Sequence, residues 1–469
     1  MDPEQKKPEQ DAKFVSRRKF LTATATALGG LTLAACGSGG GGAKTAATAG
    51  GSSGGAASGG GGAPTPVPTV QVDPGSPNAT KITLWFWDTS VKYAVSAFNK
   101  KQQKVAVKFE KVAYGDTHKR LLTSLAAGSG APDVCAIEIG YVGTFSSKGG
   151  LVDMMQAPYD AGQFKNDMVA YKWKQGSSAD GRLLCMPWDI GPVAFWYRTD
   201  LFQKAGLETD PDKLQARVKT WDDWFQLGED LRKKLPSTAL VATAFQDVYV
   251  TMVEQQGHGW FNGNKILFEE KATKPLQRAV DARKRKIDAN IAWWGAEFDT
   301  GLKKDAFAGM NISCWEQSGL TQSDPQFNGK WHIIRLPEGD ANIGGSFMAI
   351  PQQGKHPDAA WEFVKYSLCT AEGQNLIFKN SGVFPAYKPA WTDPVYDQPI
   401  EFYGGQKAYR LYTEIADKVP GNTVTANQQQ ADDIIGNQVT LVDKQGKDPA
   451  KATADATAEA LRRFRGITK

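Results

Sequence analysis

Strand-like and helix-like segments alternate along the chain from Lys81 onward, and this alternation constrains the fold more than any other feature. Residues 81–88 are dense in β-branched and aromatic side chains, and residues 104–112 alternate with a period of two, so both are predicted strands. Between them, the apolar residues of 91–98 recur at helical spacing. Repeated strand–helix–strand units predict a parallel sheet covered by helices, which is an α/β fold.

The same alternation continues to the end of the chain. Further predicted strands cover 131–139, 192–198 and 310–315. The predicted helices cover 221–234, 272–287, 358–368 and a final segment that begins at Asp448 and Pro449. With 469 residues, the chain is long enough for two or three compact units.

The beginning of the chain has the three parts of a bacterial export signal. Arg17 and Arg18 stand in the stretch SRRKFL, an apolar run covers 20–35, and small residues precede Cys36. Because the run is too short and too polar to span a hydrocarbon core of roughly 30 Å, residues 1–35 are a predicted signal peptide. The paired arginines favour twin-arginine export, with general secretory export as the alternative.

The stretch LAAC that ends at Cys36 resembles a bacterial lipobox. It predicts that Cys36 is acylated and becomes the first mature residue; cleavage elsewhere, with an incidental cysteine, is the alternative. Residues 37–63 are almost wholly Gly, Ser, Ala and Thr, and prolines recur over 64–77, so no core can form there. Residues 36–80 are therefore a predicted tether that holds a soluble module to the outer face of the bacterial cytoplasmic membrane.

Charge and cysteine content argue against several kinds of partner. The formal net charge is +5, and the basic run at 282–286 is predicted to be a solvated helix face, so we expect no nucleic-acid partner. The cysteines after the tether lack any C-x-x-C spacing, so we expect no metal site and no cofactor. The sequence leaves open the disulfide state of these residues, which are Cys135, Cys185, Cys314 and Cys369.

From Lys81 onward the chain resembles the extracellular solute-binding proteins of bacterial ABC importers, in particular the carbohydrate-binding family that includes maltose-binding protein. The resemblance covers most of the module, and the matching stretches occur in the family's order. They are LLTSLAAGSGAPDVCAIE, FSSKGGLVDM, GRLLCMPWDIGPVAFWYRTDLFQKAGL, TWDDWFQLGEDL, AFAGMNISCW and GGSFMAIPQQGKHPDAAWEFVKYSLCTAEGQ.

The resemblance implies a type II periplasmic-binding-protein fold, in which two hinged α/β lobes hold the ligand in a cleft between them. The N-terminal lobe would cover 81–190 plus 348–387, and the C-terminal lobe 191–347 plus 388–469. The chain would cross between lobes near 188–192, 344–349 and 382–386. These crossings contain Gly and Pro, which suit backbone that must bend.

A sugar offers apolar C–H faces, which stack on aromatic rings, and hydroxyls, which donate strongly to carboxylates. Trp87 and Asp88 end the first predicted strand, where ligands bind in doubly wound sheets. By contrast, four tryptophans on helical stripes are predicted core residues, namely Trp173, Trp221, Trp224 and Trp361.

The resemblance supplies the other candidate ligand contacts. They are Glu138 and Tyr141 after the third strand, Trp188 and Asp189 in the first crossing, Asp247, Tyr249, Gln256 and Trp260 in the second lobe, Trp315 after a strand, and Gly344, Gly345 and Ser346 in the second crossing. The stretch IEIGYVG lacks the tryptophan and the acid–base pair that serve maltodextrin in maltose-binding protein, which argues against maltose itself.

These observations predict a monomeric, lipid-anchored receptor that captures a sugar or oligosaccharide and delivers it to the permease subunits of an ABC transporter. Two alternatives stay open. One is a binder of a non-sugar solute such as a polyol, glycerol phosphate or a peptide; the other is an exported glycosidase, which would need two carboxylates at a set separation. The sequence does not identify the sugar, its chain length or the permease.

Overall fold

The computed structural model describes residues 71–257, 259–421 and 424–469. The predicted signal peptide, Cys36 and most of the predicted tether lie outside these residues. None of the described helices is both long and apolar enough to cross a membrane.

Two sheets organise the described chain. The first has the strand order β2-β1-β3-β12-β4, in which β1 pairs in parallel with β2 and β3, while β12 runs antiparallel to β3 and β4. Its strands are β1 (Thr80–Phe86), β2 (Val105–Lys111), β3 (Val134–Glu138), β4 (Met186–Pro187) and β12 (Ser346–Ala349). This sheet therefore draws on two separate parts of the sequence.

The second sheet has the order β11-β6-β10-β7, with β6 antiparallel to both of its neighbours. Its strands are β6 (Val193–Arg198), β7 (Ala239–Val241), β10 (Phe307–Ser313) and β11 (Trp331–Ile334). Two short pairs complete the strands: β5 (Asp189–Ile190) with β13 (Phe384–Pro385), and β8 (Phe261–Asn262) with β9 (Lys265–Ile266).

Helices cover the faces of both sheets, as the alternating pattern predicts. In the first half of the chain they are α1 (Val91–Lys101), α2 (Tyr114–Ala127), α3 (Ile139–Lys148), α4 (Ala170–Gly176), α5 (Thr199–Lys204), α6 (Pro211–Arg217) and α7 (Trp221–Lys234). In the second half they are α8 (Thr251–Glu254), α9 (Phe268–Lys284), α10 (Ala296–Lys303), α11 (Glu316–Ser323), α12 (Pro357–Leu368), α13 (Ala371–Ser381), α14 (Ala408–Ala416), α15 (Gln428–Gln445) and α16 (Pro449–Arg463).

The last helix begins as its sequence predicts. Asp448 accepts a hydrogen bond from the backbone N–H of Lys451 and thereby caps α16, and Pro449 occupies its first turn. The α/β prediction is confirmed, and the predicted strands and helices agree with the observed ones to within a few residues.

The first strand is shorter than predicted. It ends at Phe86 rather than Asp88, because the Asp88 carboxylate accepts a hydrogen bond from the backbone N–H of Ser90 at 2.9 Å and turns the chain toward α1. Trp87 and Asp88 consequently follow the strand instead of ending it, and the alternation along β1 does not decide where Trp87 points.

The helical-stripe tryptophans lie in the cores, as predicted: Trp173, Trp221, Trp224 and Trp361 are all buried. The cysteines of the module, Cys135, Cys185, Cys314 and Cys369, are buried free thiols. Burial in apolar surroundings makes them small hydrophobic core residues.

Candidate ligand-binding cleft

Three chain segments pass side by side between the two sheets. The backbone N–H of Trp188 donates to the carbonyl of Ser346 at 2.9 Å, and that of Ile343 donates to the carbonyl of Gly191 at 2.9 Å. The third segment joins them through the pairing of Pro385 with Asp189. These contacts place the three predicted crossings next to one another at the base of a cleft.

Asp189 links two of these crossings. Its Oδ1 accepts a hydrogen bond from the backbone N–H of Ser346 at 2.6 Å, and the residue is only 1% exposed. Gly345 has φ +104°, and a Cβ at this position would lie 2.5 Å from Nζ of Lys172 and 2.8 Å from the backbone oxygen of Asp189. Only glycine fits there, because any side chain would be both strained and obstructed. The structure thus brings together Asp189, Gly345 and Ser346.

A cavity of about 210 Å³ lies next to these crossings, between the two lobes. Carboxylates and side-chain amides dominate its polar lining, a chemistry suited to hydroxyl groups. The lining residues are Glu138, Ile139, Gly140, Glu254, Asn342, Gly344, Val424, Gln428, Gln429 and Asp432. Of these, only Glu138 and Gly344 are predicted site residues.

The cavity is closed on one side by a contact between α3 and the chain that leads into α15. Val424 is buried in the cluster that contains Val142 and Phe145 of α3. A Cβ on Gly143 would overlap the backbone oxygen of Thr425, so the two backbones approach as closely as glycine permits. Because Ala431 of α15 belongs to the core cluster around the second sheet, residues 424–431 connect that core with α3 along one side of the cavity.

Glu138 lies where β3 ends and α3 begins. Its carboxylate caps α3 by accepting from the backbone N–H of Gly140 at 2.8 Å, and it accepts a second hydrogen bond from the hydroxyl of Tyr114. Burial raises the pKa of Glu138, while the Gly140 N–H, the positive charge of Lys172 and the Tyr114 hydroxyl oppose that rise. The acid is therefore partly desolvated, with hydrogen bonds that favour its ionised form.

Aromatic rings surround Glu138 on the N-terminal lobe. The ring of Tyr141 stacks on that of His118 at 3.8 Å, and Trp87 packs edge-on against Tyr114 at 5.2 Å. Trp87, Tyr114 and Tyr141 are each partly exposed. The predicted residues Trp87, Glu138 and Tyr141 therefore share one wall.

His118 is fixed in one neutral form by this wall. Its Nε2 lies 3.0 Å from the backbone nitrogen of Glu138, which can only donate, and its Nδ1 lies 3.0 Å from the carbonyl of Tyr114. Nδ1 must therefore carry the proton. Burial lowers the pKa of His118 to about 3. Protonation of Nε2 would also break the hydrogen bond that this atom accepts from the backbone N–H of Glu138.

Two tryptophans, Trp294 and Trp315, form a stacked pair beside the second crossing, which we call the tryptophan wall. Nε1 of Trp315 donates to the carbonyl of Ile343 at 3.1 Å, beside the second crossing, and the ring of Trp294 lies nearly parallel to that of Trp315 with centroids 6.3 Å apart. A Cβ on Gly344 would lie 3.7 Å from Nε1 of Trp315, so this indole stands next to the cavity. Trp315 is buried beside the second crossing, and its contact with a ligand stays a prediction.

Trp294 is a cleft residue that the sequence analysis missed. It is partly exposed and has φ +60°, a backbone conformation in which bulky residues are strained. The available signal was the doublet Trp293–Trp294 in a loop ahead of Gly295, off any helical stripe. Strained residues of this kind concentrate at functional sites, which supports its inclusion.

The remaining predicted contacts lie in the interior rather than along the cavity. Trp188 is 1% exposed, and its ring packs edge-on against Phe86 at 4.9 Å. Asp247 is fully buried, and it accepts from the backbone N–H of Asn311 at 2.7 Å and from Nε1 of Trp293 at 3.2 Å. Burial raises the pKa of Asp247. The structure therefore gives Asp247 a supporting position under the tryptophan wall.

Of three further candidates from the same stretch, Tyr249 and Trp260 are buried, whereas Gln256 is exposed and lies outside the cavity lining. Tyr249 is buried in the core of the second lobe, and the Gln256 side chain donates to the carbonyls of Met252 and Lys271. Trp260 is buried, and its Nε1 donates to Oδ1 of Asp432 at 2.7 Å. Because Asp432 lines the cavity, Trp260 orients a cavity carboxylate instead of lining the cavity itself.

The chain is similar to known binding proteins over most of its length. A family described as "Bacterial extracellular solute-binding protein" matches residues 88–374. The arabinooligosaccharide-binding protein of Bacillus subtilis (strain 168) is 24% identical over 409 residues, which cover 82% of this chain and 93% of that protein.

Solved structures share the fold. An extracellular solute-binding protein of family 1 superposes with a TM-score of 0.74 at 24% identity, covering 81% of this chain and 99% of that one. The ABC-transporter-associated binding protein of B. animalis subsp. lactis Bl-04, solved in complex with beta-1,6-galactobiose, gives a TM-score of 0.66 at 22% identity, covering 83% and 99%. With its two sheets, adjacent crossings and interlobe cleft, this chain belongs to the bacterial extracellular solute-binding proteins.

Proposed function

We propose that this protein captures a sugar or oligosaccharide between its lobes and presents it to the permease of an ABC transporter. One observation carries the proposal: a cavity beside the crossings is lined by carboxylates and side-chain amides, among them Glu138, Asn342 and Asp432. Carboxylates and amides match sugar hydroxyls, and flat rings match sugar C–H faces. The relative named for arabinooligosaccharides and the neighbour solved with a galactobiose have ligands of the same class.

The proposed ligand contacts are the residues around this cavity. Glu138, Tyr141 and Trp87 would serve from the first lobe, Trp294 and Trp315 from the second, and the backbone near Gly344 from the crossing. Direct ligand contact by Trp188, Asp247, Tyr249 or Trp260 stays a prediction that their interior positions do not favour. Direct contact by the exposed Gln256 also stays a prediction. The cavity of about 210 Å³ is smaller than typical ligand pockets of about 300–1,000 Å³, so an oligosaccharide requires the lobes to part.

The proposal includes the location and the lobe boundaries. The protein would be exported by its predicted signal peptide (1–35) and anchored through acylated Cys36. Its tether would hold it as a monomer at the outer face of the bacterial cytoplasmic membrane. The lobes would comprise 81–190 plus 348–387 and 191–347 plus 388–469. Ligand-driven closure would present both lobes as one surface to the permease subunits.

Titration calorimetry against arabino-, galacto- and malto-oligosaccharides and mannitol, with chromatography of the mixtures afterwards, tests the function. We expect saturable binding of at least one saccharide, with the saccharide recovered intact. Recovery of shortened products would instead support the glycosidase, and binding of mannitol alone would support a polyol receptor.

A further inference from the structure

Lys172 is a buried cation at the base of the cleft. It lies on α4, its side chain is fully buried, and within the described chain its Nζ has no hydrogen-bond partner. The ammonium sits 3.9 Å from the centroid of the Phe347 ring, a cation–π contact that offsets only part of the desolvation. A buried ammonium with no acceptor is costly, so a lysine here works against stability.

The ammonium is held directly beneath the second crossing. The position that a Cβ of Gly345 would take is 2.5 Å from Nζ of Lys172, and the same position is 2.8 Å from the backbone oxygen of Asp189. Because residue 345 is glycine, the Lys172 ammonium can occupy space that a side chain at 345 would fill. Lys172 thus contacts the hinge at the point where two crossings are linked by the Asp189–Ser346 hydrogen bond.

The acidic groups that face Lys172 come from different elements. Asp189 lies in the first crossing and Glu138 at the end of β3, and their charges favour the protonated lysine. The Cys185 thiol just before β4 stays neutral, because burial raises its pKa. Desolvation outweighs the two carboxylates and lowers the pKa of Lys172 to about 8. Glu138 is faced in turn by the Lys172 ammonium, by the Tyr114 hydroxyl on α2 and by Asp432 on α15.

We propose that Lys172 is a positioning residue for ligand recognition. Its ammonium lies beneath Gly345, whose neighbour Ser346 pairs with Glu138 across β12 and β3, and from there it orients the Glu138 carboxylate as an acceptor for ligand hydroxyls and steadies the Asp189 link. This inference rests on the proposed saccharide-binding function. Glu138 lines the cavity, so the charge of Lys172 reaches the ligand through Glu138 and not by contact. Lys172 then lowers the stability of the fold but supports ligand binding, as residues at other strained functional sites do.

The test compares wild type with Lys172→Met, which keeps the length of the side chain and removes its charge. A saccharide that wild type binds is titrated calorimetrically between pH 5 and pH 9.5, and melting temperatures are recorded. We expect Lys172→Met to bind about tenfold more weakly or worse at pH 7, in line with the loss of a charge-assisted interaction. The melting temperature shows whether the variant is folded during the titration, so that unfolding is not mistaken for weaker binding.

The dependence of ligand affinity on pH distinguishes this role of Lys172 from a purely structural one. Wild-type affinity should fall as pH rises through about 8, where the ammonium loses its proton. Lys172→Met should lack this alkaline limb. Its acid limb should lie at higher pH than that of wild type, because Glu138 without the nearby positive charge protonates more readily.

Lys119→Met, an exposed lysine on α2, is the matched control and should behave as wild type. If wild type binds no saccharide, the proposed function fails. If wild type binds and Lys172→Met binds equally well with the same pH profile, the role of Lys172 is overturned and the function stands. Should Lys172→Met not fold, the wild-type profile decides, since an affinity that is flat from pH 7 to 9.5 would also overturn the role.

Discussion

The backbone nitrogen of Ser346 lies 2.6 Å from Oδ1 of Asp189, and this hydrogen bond joins two separate passages of the chain between the lobes. It is buried, so neither group has access to solvent in its place. A contact of this kind affects both how stable the hinge is and how the lobes are set relative to each other.

Asp189→Ala should lower stability as well as ligand affinity. The substitution leaves the N–H of Ser346 buried without its acceptor, which costs about 1–3 kcal/mol of unfolding free energy. Asp189→Asn keeps an acceptor oxygen and should lose less. Urea denaturation of both variants, followed by ligand titration, measures the two effects. An Asp189→Ala protein as stable as wild type would show that Ser346 is not held in this way.

Gly143→Ala should weaken ligand binding by opposing closure of the cleft. A Cβ at this position would overlap the backbone oxygen of Thr425, so α3 and the chain leading into α15 could not meet as they do here. In an isolated helix the same change would be favourable by up to about 1 kcal/mol. Small-angle scattering should therefore report a larger radius of gyration for the variant with ligand than for wild type with ligand.

Gly436→Ala is the matched control for that experiment. Gly436 lies within α15, and a Cβ there would have no neighbour within 4 Å in the described structure. This variant should bind as wild type and be slightly more stable. Equal binding and equal dimensions for Gly143→Ala and Gly436→Ala would mean that the α3–Thr425 contact does not limit closure.

Trp294→Gly should weaken saccharide binding. Removal of the ring takes away a stacking surface and should cost about 1–3 kcal/mol of binding free energy. Glycine also relieves the strain of φ +60°, whereas Trp294→Ala removes the ring and keeps the strain. The two variants should therefore bind alike in calorimetry and differ by about 1 kcal/mol in unfolding free energy. Full binding by both would remove Trp294 from the site.

Local patterns were sufficient to predict the elements of this fold. The helix at 91–101 and the strand at 105–111 follow from apolar periodicity, which depends on near neighbours in the sequence. The grouping of Asp189 with Ser346 came from the family resemblance, because no local pattern brings residues so far apart in the chain together. The proximity of Trp315 to the second crossing likewise depends on contacts between distant parts of the chain.

The other side of the cavity was not predictable in this way. Gln428, Gln429 and Asp432 reach the cleft only because α15 packs against the second lobe and meets α3, and this packing depends on tertiary contacts.

By contrast, Asp247 lies in the aligned stretch but faces inward, because the π-helical turn Phe245–Val250 directs its carboxylate toward Asn311. Lys172 is missed because a buried lysine is uncommon and its helix is short.

His118 should make the protein less stable as pH falls below about 6.5. In the folded state burial lowers the pKa of His118 to about 3, whereas the unfolded chain titrates near 6.5. Between these values the unfolded state binds more protons, so the unfolding free energy decreases as pH falls, by about 1.4 kcal/mol per pH unit for one histidine. Urea denaturation at several pH values between 5 and 7.5 measures this slope.

His118→Gln isolates the contribution, because glutamine can accept the hydrogen bond from the backbone N–H of Glu138 but does not titrate. Glu138 acts in the opposite direction: its raised pKa makes the folded state the stronger proton binder and adds stability as pH falls. Buried Asp247, whose pKa is also raised, acts in the same direction as Glu138. The wild-type slope is thus the sum of these opposing effects, and His118→Gln should flatten or reverse it. A slope unchanged by His118→Gln would mean that His118 is protonated in the folded protein. It would contradict the assignment of a neutral His118 whose Nε2 accepts a hydrogen bond from the backbone N–H of Glu138.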